Sequence, residues 1–218
     1  MIYFLDMIIT FGGLQTFKVQ FGDMVIAVNP ASKDSTLIKQ SVKFGADITL
    51  VSLSHPDFNG SENNFNTNKQ PLVIEGPGEY EAGGVTVTGL SSIANYDGNR
   101  INTIYTLRLE SMNLCFLGGL SDATLSSETL EKIDGVDIVF VPIGDERVIG
   151  PAEAYKLSIK LEAKVIIPCH YIDVKDSCVS DFMNETGSDK SSIVDKLTIK
   201  SKDLQGKNGE VKILSPIR

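Results

Sequence analysis

The chain has 218 residues, 42% of them hydrophobic and 22% charged, enough for one sizeable domain with a real core. Its net charge of −8, without a Lys/Arg cluster, argues against nucleic acid, whose binding draws affinity from phosphate neutralisation. No apolar stretch approaches the roughly 18 residues of a membrane helix. The apolar start, broken by Asp6, has no basic n-region and no small-residue cleavage site, so a cytoplasmic protein without a membrane partner is expected.

The first third reads as short strands at 7–10, 16–20 and 24–28, separated by the turn signals Gly12-Gly13 and Gly22-Asp23. Residues 35–44 read as a helix with Leu37, Ile38 and Val42 on one face and Gly45 as its C-cap. A buried-type strand at 48–51 runs into Ser52-Leu53-Ser54-His55-Pro56-Asp57-Phe58, and 59–70 is a polar loop. Strands at 72–74 and 85–89 flank Gly76-Pro77-Gly78-Glu79-Tyr80 and a Gly83-Gly84 turn, and 103–109 with 114–117 reads as a hairpin. A helix at 125–133 has Ser126 as its cap, 138–141 is a strand, and a helix at 151–161 opens on Pro151. The strand 165–167 ends in Pro168-Cys169-His170-Tyr171. The polar stretch 173–192 has room for a short helix, and late strands at 197–200 and 210–214 could pair. No linker marks a boundary, so 1–218 is read as one domain. β-meander elements come first and β-α-β elements later, which fits two packed sheets with outer helices better than a doubly wound sheet.

The cysteines are Cys115, Cys169 and Cys178. An odd count without CxxC spacing argues against a disulfide framework or a zinc–cysteine site. The only histidines, His55 and His170, each follow the end of an apolar strand, where functional loops tend to sit. His55 and Asp57, two apart, can point the same way, and two imidazoles with one carboxylate can make a metal site. The plainer reading makes Pro56 and Asp57 turn residues and His170 a backbone-satisfied core residue. Cys169 and His170, as strand neighbours, are expected on opposite faces, which argues against a Cys–His pair. Gly76-x-Gly78 reads as a turn and not a dinucleotide motif, since no helix follows.

An ordered set of segments resembles the metallo-β-lactamase superfamily, especially its bacterial ascorbate-6-phosphate-lactonase-like and zinc-dependent hydrolase branch. They include Ile9-Thr10-Phe11-Gly12-Gly13-Leu14, Val28-Asn29-Pro30, Gly76-Pro77-Gly78-Glu79-Tyr80, Cys115-Phe116-Leu117-Gly118-Gly119-Leu120, Val141-Pro142-Ile143-Gly144 and Ile166-Ile167-Pro168-Cys169-His170-Tyr171. Beyond Tyr171 the resemblance fades. It implies an αββα sandwich, two mixed sheets flanked by helices, and a two-metal hydrolytic centre.

The family's Thr-His-x-His-x-Asp-His motif falls on residues 52–58. His55 and Asp57 match, and the other two histidine positions are Leu53 and Phe58. A further histidine position falls on Ala94, and the bridging aspartate on Gly119. The last histidine matches as His170, while the early Gly-His and Asp-Pro features are Gly13-Leu14 and Asn29-Pro30. His55 then belongs to the first metal position, with Asp57 and His170 at the second. Zinc in such centres takes three N, O or S ligands plus a water, and Leu, Phe and Ala offer no lone pair. The resemblance therefore implies a degenerate protein with a binding, scaffold or regulatory role and no cofactor. The alternative is a hydrolase of esters, lactones or phosphodiesters with one divalent Zn, Mn or Fe on His55, Asp57 and His170, in which Asp57 is catalytic only with the metal bound. Asp145 or Glu146 could add a ligand, with Asp122 and Asp97 as remoter donors; as solvated acids they would do nothing. Relatives often self-associate, so a homo-oligomer is also expected.

Overall fold

In the computed structural model, residues 6–65, 70–144 and 146–217 are described. The strands in chain order are β1 (Met7–Phe11), β2 (Phe17–Phe21), β3 (Met24–Val28), β4 (Ile48–Val51), β5 (Leu72–Glu75), β6 (Gly78–Ala82), β7 (Val85–Asn95), β8 (Asn99–Leu109) and β9 (Met112–Phe116). The helix α1 (Ser127–Lys132), β10 (Ile138–Pro142), α2 (Pro151–Lys160), β11 (Val165–Cys169) and α3 (Ser177–Thr186) follow. Four short strands end the chain: β12 (Ile193–Val194), β13 (Leu197–Ile199), β14 (Glu210–Val211) and β15 (Ile213–Leu214).

One sheet has the order β13-β1-β2-β3-β4-β5 and the other β14-β11-β10-β9-β8-β7-β6. Both are mixed. The first is antiparallel up to β3 and parallel across β3, β4 and β5; the second is parallel from β14 to β9 and antiparallel beyond. The expected two-sheet sandwich is therefore present. Alternation along β1 and β2 buries Met7, Ile9, Phe11, Phe17 and Val19 against the second sheet. Phe17 meets Phe140 edge-on at 4.7 Å, and Phe140 stacks on Phe116 at 3.9 Å, so aromatic rings from both sheets interleave.

A polar contact also ties the sheets together. The Tyr105 hydroxyl on β8 accepts from Gly76 N at 2.9 Å, and lies 3.0 Å from Val51 O and 3.1 Å from Ile74 O, at the ends of β4 and β5. Burial pushes this phenol up to about 12. Its proton is thus held more firmly in the folded chain than in the unfolded one. Its contribution to stability should be intact below the ordinary 10.0 and be lost as pH rises through about 12. Tyr105→Phe is expected to cost about 1–3 kcal/mol, because the Gly76 N–H loses its acceptor and the carbonyl that takes the hydroxyl proton loses its donor. Urea unfolding of the two proteins measures it.

Three expectations need correction. Residues 35–44 form no helix. The side-chain oxygens of this Ser-rich stretch compete for the backbone: Ser35 Oγ accepts from Ile38 N, and Ser41 Oγ donates to Ser32 O. Ile38 is buried with Leu14 and Ala31, and Phe44 lies over Lys18 of β2, so an irregular segment covers the outer face of the first sheet. The described α-helices α1, α2 and α3 all follow strands of the second sheet.

The late strands do not pair with each other: β13 adds to β1, β14 to β11, and β15 pairs with β12. Gly78 to Ala82, read as part of a turn, is strand β6. β7 and β8 are longer than the expected 85–89 and 103–109, meeting in a hairpin at Asn95 and Asn99, while the remaining expected elements lie within a few residues of their places. The Ser126 side chain caps α1 by accepting from Thr129 N, and Pro151 opens α2. Among the described residues no helix is long and apolar enough to cross a membrane.

Candidate functional site

The C-terminal ends of β4, β9, β10 and β11 converge with the β7–β8 hairpin tip and the β1–β2 turn. After β4 the chain turns tightly. Asn29 Oδ1 accepts from Ser52 N at 2.8 Å, and His55 O accepts from Phe58 N at 2.8 Å, which fits Pro56 as the second residue of that turn. Leu53, Asp57 and Phe58 are buried, with His55 at the rim. After β9, the turn at Gly118 (φ +62) is held by Asn102, whose Oδ1 accepts from Gly119 N at 2.9 Å and whose Nδ2 donates to Leu117 O. A Cβ on Gly118 would approach Asn102 Oδ1 to 2.5 Å, so only glycine fits there.

The four positions without a ligand-type residue meet at one point. A Cβ on Gly119 would lie 3.2 Å from Phe58 Cζ, 3.5 Å from Leu53 Cδ2 and 3.6 Å from Ala94 Cβ. Leu53, Phe58, Ala94, Tyr96 and Val148 form a buried cluster separate from the main core. Ala94 thus packs beside Leu53, Phe58 and Gly119, and the space between them is filled by hydrocarbon.

Tyr96 was missed from the sequence. It sits in the turn between β7 and β8 and is fully buried. Its ring meets Phe58, His55 and His170 edge-on at centroid distances of 5.2, 4.7 and 5.8 Å, and its hydroxyl lies 3.2 Å from His170 Nε2. Above it, the Arg147 guanidinium lies 4.6 Å from the ring centroid. Gln15, also missed, holds the other side of His170. Its Oε1 accepts from the Cys169 thiol at 3.3 Å, and its Nε2 donates to Gly118 O and lies 3.2 Å from His170 Nδ1. That network assigns Nδ1 as an acceptor and puts the imidazole proton on Nε2, toward Tyr96. Leu14, Asn29 and His170 all have positive φ, at 56°, 47° and 70°, a concentration of backbone strain around this centre.

His55 and Asp57 stand together, with Nδ1 3.5 Å from Oδ2, and Asp57 N donates to His55 Nδ1. His55 Nε2 reaches Asp97 Oδ2 at 3.1 Å, which brings one remote candidate into the site. The Asp57 carboxylate is buried. Oδ1 accepts from Ser35 Oγ at 2.6 Å; Oδ2 accepts no hydrogen bond among the described residues and lies 3.8 Å from Arg147. Tyr96 stands between the pair and His170, contacting both histidine rings. Asp122 serves a local turn, accepting from Thr124 N, and this bond holds its carboxyl below the usual range. Glu146 is exposed, and Asp145 lies outside the described residues.

Cys169 is not isolated from His170, as strand alternation implies, since Gln15 touches both. The left-handed backbone at His170 breaks the alternation. Burial nevertheless pushes the Cys169 thiol well up, and Cys115 likewise, while half-buried Cys178 stands at about 11. Ellman's reagent is expected to label Cys178 alone in the folded protein, with a rate that climbs with pH toward 11 as the thiolate forms. Rapid labelling of more than one thiol at pH 8 would contradict the packing described.

A family model described as a beta-lactamase superfamily domain matches residues 8–170. A UPF0173 metal-dependent hydrolase of Listeria monocytogenes is 28% identical over 196 residues, spanning 75% of this chain and 84% of the relative. Among solved structures, one from Thermotoga maritima, assigned as a zinc-dependent hydrolase of the metallo-β-lactamase superfamily, superposes with TM-score 0.72 and 27% identity over 95% of this chain and 97% of the other. The metallo-β-lactamase fold protein YhfI of Bacillus subtilis shares the fold at TM-score 0.60 and 12% identity, over 96% of both chains. The matched stretch takes in the sheet strands from β1 to β11 and ends on His170, and the chain belongs to the beta-lactamase superfamily, with the metallo-β-lactamase fold.

Proposed function

We propose that this chain is a catalytically degenerate member of its superfamily that acts by binding rather than by hydrolysis. The carrying observation is the convergence of Leu53, Phe58, Ala94 and Gly119 within 3.6 Å of one point. These residues do not fit a two-metal centre. A zinc ion needs three or four lone-pair donors around an open position, and this volume holds apolar atoms. His170 would also have to give up Tyr96 at Nε2 or Gln15 at Nδ1 before it could ligate, and the position of the bridging aspartate is held by Gly119, which has no side-chain donor. Without a metal, little lowers the pKa of a water to the neutral range that this chemistry needs.

A second reading keeps one divalent ion, Zn, Mn or Fe, on His55, Asp57 and His170. It is favoured by Asp57 Oδ2, a buried carboxylate oxygen that accepts no hydrogen bond. The names of the relatives, which call them metal-dependent hydrolases, lean the same way. The two readings part in an assay. Protein supplied in turn with zinc, manganese and iron(II) is offered a lactone, a carboxylic ester and a phosphodiester. The degenerate reading expects no turnover above that of His170→Ala. Metal-dependent turnover that His170→Ala abolishes would establish the second.

A further inference from the structure

A cleft of about 890 Å³ has walls that include none of His55, Asp57 and His170. It lies between the irregular segment 37–43, residues 172–175 and the chain end at 215–217, over the Gly12-Gly13 turn. The two glycines let the irregular segment sit close. A Cβ on Gly12 would lie 3.1 Å from Val42 Cγ2, and one on Gly13, at φ +90, would lie 3.4 Å from Ile38 Cδ1. The volume is within the roughly 300–1,000 Å³ typical of small-molecule sites.

Its lining is two-fold in character. Ile172 and Ile217 stand 46% and 38% exposed here, joining Ile38 and Val42 to make an apolar wall facing water. Among the described residues, Lys39, Lys43 and Lys175 line the same cleft with Asp173, although the chain as a whole carries a net charge of −8. Lysines beside an apolar wall keep their ammonium groups in water while their stems extend it. A ligand that matches has a hydrocarbon body and a single anionic head.

We propose that this cleft binds a medium-chain fatty carboxylate, with its chain along Ile172 and Ile217 and its head among the three lysines. The proposal does not depend on whether the histidine centre holds a metal. Calorimetric titration of the full chain with decanoate tests it, with acetate and decanol as head-only and chain-only controls. Decanoate is expected to bind at one site per chain, and acetate not at all. Decanol is expected to bind more weakly than decanoate. The double variant Lys43→Glu/Lys175→Glu and the single variant Ile172→Asp, all at exposed positions, should each weaken decanoate by roughly tenfold or more. No binding of decanoate, or binding by either variant as tight as that of the wild type, would overturn the proposal. So would a solution dimer that Ile172→Asp dissociates, because the face would then be an interface between copies of the chain.

Discussion

Phe58→Ala is expected to destabilise the protein by about 3–5 kcal/mol, the range for a buried phenylalanine whose surroundings cannot collapse. For a chain of this size that is on the order of 10 °C in Tm. Phe58 is fully buried, meets Tyr96 edge-on at 5.2 Å and faces the Gly119 backbone. The wall beyond it is the turn at Gly118, fixed by Asn102, so the gap should persist as a cavity. Tyr96 would lose the ring that holds it against His170, coupling the packing loss to a hydrogen bond. Chemical denaturation gives the figure. A loss under about 1 kcal/mol would mean that the centre is loosely packed or wet and the hydrocarbon plug is not a plug.

Gly144→Ala should be nearly as costly, for the opposite reason. Gly144 follows β10 and lies beside His170, which follows the neighbouring β11. A methyl there would overlap His170 Cδ2 and come within 2.8 Å of its carbonyl oxygen. The imidazole is gripped by Gln15 on one nitrogen and Tyr96 on the other, and the His170 backbone is already left-handed. It has no free direction in which to move. Overpacking of this kind costs about 1–3 kcal/mol and more where neighbours are rigid. The upper end is expected, with a changed His170 ring signal by NMR. An unchanged signal at full stability would show that His170 is not held as described.

What the sequence revealed and what it withheld divide along the range of the interactions. Apolar alternation along β1 and β2, the Ser126 cap and Pro151 are local features, and they lie where local rules put them. Partner choice is not local. The segments around 197 and 213 look alike as short apolar runs, yet they add to different sheets because of contacts nearly 200 residues distant in one case, Met7 with Ile199. The stretch 35–44 has a helical spacing of Leu37, Ile38 and Val42, but hydroxyls at 35 and 41 and the burial of Ile38 against Leu14 override it.

The site was half legible. Ordered motifs pointed to Leu53, Phe58, Ala94 and Gly119, which the fold packs together, and to His55 and Asp57, which it sets side by side with Tyr96 between His55 and His170. Tyr96 left a signal that went unused: Asp97-Gly98 is a strong hairpin turn signal, and it lies between apolar alternation that extends β7 and β8 to Asn95 and Asn99. Read that way, the hairpin tip would have been placed over the strand ends, carrying Tyr96 and Asp97 with it. Gln15 left no such trace. A lone glutamine after a glycine turn has no pattern until the fold brings Gly118, Cys169 and His170 around it.

The proposal that the chain carries no catalytic metal is tested most directly by elemental analysis of the natively purified protein. After dialysis against metal-free buffer, zinc, manganese and iron are predicted to total far below one atom per chain, with no difference between the wild type and His170→Ala. One tightly held metal atom per chain that disappears in His170→Ala would contradict it.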